Sequence, residues 1–362
     1  MLAFTTLSSL YLRYFSIVLI ALSSFMVGFD LMENASELPR SANLVLIYIM
    51  YKYFYAVDMM LPISLTFAMI ASLVELVRSN ALVAYFSIGY SKARILAPFL
   101  TMTTLLISIY IGLHATNFAR ANEFADNLRD SSEFIRPTSN LFFTHEGNYI
   151  YFGNLYPLSK RAEDIRIFTF EKGQLKEALS ASEAVYRNGF WNIEKAHMLR
   201  PPEDFDLKGL GIVTEDKENL KVLRDFKPKI LDQVYEGKVN FTITDGLEAL
   251  TLLKNQNVDV AKILSGMYRM FITPWFAPLL MVIFFTYTPV SSRFLNLSLF
   301  SFGAILATLM VWGILFMFGE LSNNKTISPE IGIILPIGLL FAVMVWRLGN
   351  PLRRVRVKSR QN

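Results

Sequence analysis

The chain contains no cysteine. Disulfides, thiol catalysis and thiolate-bound metals are therefore excluded. Histidine is almost as scarce. His114, His145 and His197 are the only three, and they form neither an HxxxH nor an HExxH pattern, which argues against a catalytic zinc. No G-x-x-x-x-G-K-S/T phosphate loop occurs, so the chain has no recognisable ATP site of its own. No paired acids or triad stand out either. Glu203, Asp204 and Asp206 follow Pro201 and Pro202 and read as a solvated turn. Charge is also limited: 18% of the 362 residues are charged and 53% are hydrophobic, with a mean hydropathy of +0.38. That is too apolar for an ordinary soluble protein and too polar for one wholly in a membrane. It predicts membrane spans plus one water-exposed domain, without enzymatic chemistry.

Six apolar runs are present. They cover residues 14–32, 53–74, 95–118, 270–290, 297–319 and 331–348. Crossing the hydrocarbon core takes about 20 mainly apolar residues. The first run has no small-x-small cleavage site after it, so it reads as an uncleaved anchor. Pro62 predicts a break in the second. Charge divides along the same lines. Residues 119–262 hold 20 Lys and Arg against 23 Asp and Glu, a net of −3, while the remainder holds 15 against 7, a net of +8. A basic excess confined to the membrane part points to topology rather than to nucleic acid. Arg13, Arg78, Lys92, Arg94, Arg293 and a tail with Arg347, Arg353, Arg354, Arg356, Lys358 and Arg360 lie on one side. Glu33, Glu37, Arg40, Glu320, Lys325 and Glu330 lie on the other. Both termini are thus expected in the cytoplasm and the large domain outside it.

That domain reads as β. The segments NYIYFGNL (148–155) and DIRIFTF (164–170) alternate, and Asn188-Gly189 separates two further alternating runs, a strong hairpin signal. EKGQL at 171–175 reads as another turn. Residues 119–133 and 244–257 read as helices, the second with Asp245 as its N-cap and Glu248 three residues on. The expected fold is an α-helical membrane protein with six transmembrane helices plus an external all-β domain, a sandwich or roll, between helices 3 and 4. The boundaries are 1–118, 119–257 and 258–362.

One stretch fits neither part. SLVELVRSNALVAYFSIGYSKAR, residues 72–94, is too charged for a span and too apolar for a plain loop. Leu76, Val77, Val83, Tyr85, Phe86 and Ile88 supply an apolar surface, Glu75, Arg78, Ser79 and Asn80 a polar beginning, and Gly89 a helix stop. A short helix along the membrane face fits. It either floats at the interface as a connector or fills a groove on a soluble partner.

The same stretch, followed by ILAPFL and preceded by a Pro-containing span, resembles the lipopolysaccharide-export permeases of the LptF/LptG (YjgP/YjgQ) family. GNYIYFGNL, IRIFTFEKGQL and ASEAVYRNGFWNIEKA are similar to that family's external β-jellyroll. LEALTLLKNQNVDVAKILSGMYRMFITPWFAPLLMVIFF is similar to its return into span four, where the likeness to LptG exceeds that to LptF. ISPEIGIILPIGLL is similar to its last loop and span. The likeness covers nearly the whole chain, in order. It implies a non-catalytic permease of the bacterial inner membrane, with no cofactor of its own. The implied partners are a second six-span permease, a cytoplasmic ABC ATPase dimer that uses ATP and Mg, and a membrane-anchored periplasmic jellyroll bridge. The implied substrate is lipopolysaccharide; nucleic acid is not a partner. Leu76–Gly89 would be the coupling helix, with Glu75, Leu76, Arg78, Ser79, Asn80, Ala81, Leu82, Tyr85, Phe86 and Gly89 as its docking residues.

Two features depart from the family pattern. Its R-x-S-E-L-like sequence is Arg78-Ser79-Asn80-Ala81-Leu82 here, so an acidic contact is lost at Ala81 unless Glu75 replaces it. The basic residue common at the outer end of span one is also missing. Arg40, Lys52 and Arg269 are the candidates for lipid phosphate, or else interfacial anchors. Asp58, inside span two, lines a cavity, bonds a neighbour such as Lys52, or is simply solvated. His114 and Glu320 need only solvation near span ends. The competing reading of the whole is a membrane-anchored structural or sensory protein whose external β domain binds an envelope partner.

Overall fold

A computed structural model describes residues 2–131, 138–145, 147–156, 159–171, 174–202, 211–224, 226, 241–253, 260–289 and 296–349. Arg293, the basic tail from Arg353, the Glu203–Asp206 cluster and the tip of the EKGQL turn lie outside these residues. The chain divides into two compact units, one of Met1–Ala125 with Leu264–Asn362 and one of Asp126–Ile263.

The first unit is helical. It comprises α1 (Leu2–Glu33), α2 (Ala42–Arg78), α3 (Ala81–Ser87) and α4 (Lys92–Leu113), a 3-10 turn at Asn117–Arg120, and the start of α5 (Ala121–Ser131). After the β unit come α7 (Ala261–Phe271), α8 (Phe276–Tyr287), α9 (Leu297–Asn323) and α10 (Leu335–Gly349), with α6 (Ile243–Leu253) preceding them. Six helical segments are long and apolar enough to cross a membrane; α7 and α8 act together as the fourth. With the inserted β sheet, this is a multi-pass helical membrane protein carrying a β domain.

α1 and α2 are longer than the apolar runs they contain. The 37 residues of α2 reach about 55 Å, well beyond a hydrocarbon core of about 30 Å. Pro62 does not break it. The ring removes one backbone donor, but Pro62 is buried among packed neighbours, and Ser64 Oγ donates to Met60 O at 2.7 Å in the same turn. The third span is shorter than expected. α4 stops at Leu113, and Thr116 caps the following 3-10 turn by accepting from Phe118 N.

α2 is the hub, with 72% of its apolar window buried against 17% for α1 and for α9. Leu65, Met69 and Leu73 of α2 pack with Leu7, Tyr11 and Phe15 of α1, Phe99 of α4 and Met281 of α8. A buried polar thread runs through this core. Thr103 Oγ1 donates to Tyr11 OH at 2.9 Å, and Tyr11 OH donates to Leu65 O at 3.1 Å. α10 is entered through a π turn at Glu330–Ile334, whose Gly332 lies so close to α9 that a Cβ there would fall 2.7 Å from that of Ser322.

The second unit is an antiparallel sheet in chain order, β1 (Thr138–His145), β2 (Asn148–Tyr156), β3 (Arg161–Glu171), β4 (Gln174–Arg187), β5 (Phe190–Arg200) and β6 (Val213–Val222). Alternate residues Ile150, Phe152, Ile165, Ile167, Leu179, Ala181, Trp191 and Ile193 bury one face. The sheet curls over that face. β2 and β5 are three strands apart, roughly 14 Å on a flat sheet, yet the rings of Phe152 and Trp191 stand 5.1 Å apart. The β4–β5 turn is as expected: Asn188 (φ 54°) and Gly189 (φ 83°) take the two positive-φ positions of a type I′ turn. The cap of α6 is not. Thr242 accepts from Asp245 N at 3.2 Å, which places Asp245 in the first turn rather than at the cap.

Candidate functional site

Two places carry the residues singled out by sequence. The first is the connection between spans two and three. The expected helix from Leu76 to Gly89 is divided. α2 runs to Arg78, Ser79 Oγ bonds back to Glu75 O at 2.7 Å, and Asn80 turns the chain at φ 56°. Asn tolerates that left-handed position better than most residues, so the division follows from its side chain. α3 then spans only seven residues. It ends in a Schellman motif: Tyr90 N donates to Tyr85 O, Gly89 N donates to Phe86 O, and Gly89 takes φ 86°. Ser91 caps α4 by accepting from Arg94 N.

The apolar residues here do not form one surface. Leu76, Val77 and Leu82 face inward to Leu73, Ile95 and Phe99, with Leu82 only 2% exposed. Ala81, Tyr85 and Phe86 are half-buried against that core. Val83 and Ile88 point outward, at 37% and 70% exposure, beside exposed Glu75, Arg78, Ser79 and Asn80. Leu82 is thus a peg that fixes α3 to the bundle, and Val83 and Ile88 are displayed by it. A helix merely floating at an interface would need no such peg. Ala81 supplies no acid, and Glu75 stands exposed one turn earlier on α2.

The second place is a polar layer near the opposite ends of the spans. Lys52 stands 26 residues from Arg78 along α2, about 39 Å, outside a 30 Å core measured from that end. Its side chain is 8% exposed and meets Asp30 Oδ1 of α1 at 3.3 Å and Asn122 Oδ1 at 3.0 Å. Tyr48 OH donates to Asp30 Oδ2 at 2.5 Å. Asp58 does not pair with Lys52, nor is it left to solvent. His114 Nε2 lies 3.0 Å from Asp58 Oδ1, and His114 Nδ1 lies 3.0 Å from Tyr110 O. One ring nitrogen thus faces a carboxylate oxygen and the other a backbone carbonyl. Glu320 also has a partner, accepting from Arg269 Nη1 at 3.2 Å.

Arg40, Lys52 and Arg269 are therefore not equivalent. Arg40 is exposed in the α1–α2 loop. Arg269 is part-exposed, paired with Glu320 and stacked over Phe316 at 5.7 Å. Lys52 is enclosed by its partners. No described contact joins the three. Sequence reasoning passed over Asp30, Tyr48 and Asn122; the available signal was an acid at membrane depth in span one. Among the described residues no three His, Asp or Glu side chains converge as metal ligands. The arrangement offers a short helix pegged by Leu82 with Val83 and Ile88 outward, and a layer of paired charge.

A family model described as lipopolysaccharide export system permease LptF/LptG matches residues 7–350 of the chain. No curated protein matches it.

Proposed function

We propose, on the premise that the chain belongs to the lipopolysaccharide export system permease LptF/LptG family, that it is half of the membrane channel of an ATP-driven exporter. Membership makes it a non-catalytic, multi-pass permease of lipopolysaccharide export. The chain lies in the bacterial inner membrane with its basic loops and both termini in the cytoplasm and its β domain in the periplasm. It pairs with a second six-span permease. A cytoplasmic ABC ATPase dimer, using ATP and Mg, docks on α3. Lipopolysaccharide enters laterally from the outer leaflet, with Arg40 and Arg269 offered to its phosphates and Lys52 holding α1 against α2. The β domain passes it, sheet edge to sheet edge, to a membrane-anchored periplasmic jellyroll bridge.

The observation that carries this reading is α3 itself, fixed by Leu82 and presenting Val83 and Ile88 outward. An external-domain anchor or sensor needs no such element. The test is the pair Val83→Glu and Ile88→Glu in the full chain. Both sites are exposed, so the chain should fold and insert, yet the ATPase should no longer co-purify. Retention of the ATPase at the wild-type level would place its docking site elsewhere.

A further inference from the structure

We propose that α2 and the connector leaving α4 form a zipped strut, which carries displacement of α3 to the first helix of the β unit. The inference rests on the reading of α3 as the ATPase docking helix and adds the route by which docking is felt across the membrane. Tyr51, Phe54, Tyr55 and Asp58 are spaced i, i+3, i+4 and i+7 on α2, so they share one face. Opposite them, His114, Phe118 and Asn122 recur every four residues through the end of α4, the 3-10 turn and the start of α5. The two rows meet in antiparallel order. Asp58 Oδ1 lies 3.0 Å from His114 Nε2, and the Phe54 ring lies 6.2 Å from that of Phe118. Lys52 Nζ donates to Asn122 Oδ1 at 3.0 Å, and the Tyr51 ring lies 5.2 Å from that of Phe124.

The connector is also stiffened within itself. His114 and Phe118 meet edge to face at 5.6 Å, and buried Arg120 donates twice to Glu123, at 2.8 and 2.9 Å. A plain loop to a separate domain needs none of these contacts. Charged and aromatic rungs alternate. A slip of one turn would set Asp58 against Phe118 and Phe54 against Asn122, and a buried charge that loses its partner is costly. The register is thus fixed, and the connector follows α2. From Asp58, α2 continues unbroken for 20 residues to Arg78, about 30 Å, the thickness of a hydrocarbon core. α3 follows at once, pegged by Leu82 to the core that α2 builds. At the other end α5 runs without interruption from Ala121 to Ser131, out of the first unit and into the second. One continuous helix therefore has the docking element at one end and the root of the β unit at the other.

The test combines Phe54→Ala with Phe118→Ala in the full chain, expressed in its native membrane. Phe54 is 40% exposed, so the bundle should fold without this rung. Chain level, ATPase co-purification and ATP hydrolysis of the eluate should match wild type. The rate at which pulse-labelled lipopolysaccharide reaches the outer-membrane fraction should fall about fivefold. Phe54→Leu with Phe118→Leu keeps an apolar rung and should restore most of that rate. An unchanged rate in the alanine pair, with the ATPase present, would overturn the strut and leave the docking reading standing. A rate that falls only in proportion to chain level or to co-purified ATPase would overturn it in favour of a structural contact. An eluate without ATPase already in wild type would overturn the docking reading, and the strut with it.

Discussion

At the scale of single residues, the polar layer decides how α1, α2 and α4 hold together. Asp30, Tyr48, Lys52 and Asn122 close one cluster and Asp58, His114 and Tyr110 another. Removing one partner of an enclosed pair leaves the other charge unsatisfied, which costs about 3 kcal/mol or more. Lys52→Met should therefore lower the thermal transition in detergent markedly, and adding Asp30→Asn should restore part of the loss. An unchanged transition in Lys52→Met would mean the cluster is solvated. Little of this was legible in the sequence. Asp30 and Asn122 lie 22 and 70 positions from Lys52, and apolar patterning says nothing about which charges meet across helices. Asn188-Gly189 was legible because both residues state a local backbone need, and the φ values meet it.

At the scale of elements, α3 shows where pattern and packing part. Gly89 was readable as a stop, since φ 86° strains any residue with a Cβ. Gly89→Ala should cost about 1 kcal/mol and weaken ATPase retention without changing insertion. The break at Asn80 was not readable, because Asn is also acceptable within a helix. Nor could periodicity assign Leu82 inward and Ile88 outward, as both are simply apolar. Leu82→Ala removes the peg and should destabilise the chain by about 3 kcal/mol, whereas Ile88→Ala should be nearly neutral. Similar losses from both, measured by thermal unfolding, would refute the assignment of faces.

At the scale of the whole molecule, six spans and an inserted β sheet were legible because membrane crossing demands long apolar runs and a half-buried strand demands alternation. Helix lengths were not, because α1 and α2 continue past their apolar cores on both sides. The slight burial of α1 and α9 leaves Phe25, Phe302 and Met310 facing outward. With a second permease as partner, single cysteines at such positions, in a chain that has none, should cross-link to another six-span protein in native membranes. The orientation is checked by the same means. Ser87→Cys should be shielded from an impermeant thiol reagent in intact spheroplasts, and Arg40→Cys should be labelled. The most direct measurement is purification of the tagged wild-type chain from its native membrane, with mass spectrometry of what accompanies it and an ATPase assay of the eluate. A second six-span permease, a cytoplasmic ABC ATPase and ATP hydrolysis are the predicted result. A chain that emerges alone, or with envelope proteins only and no ATPase activity, would contradict the exporter.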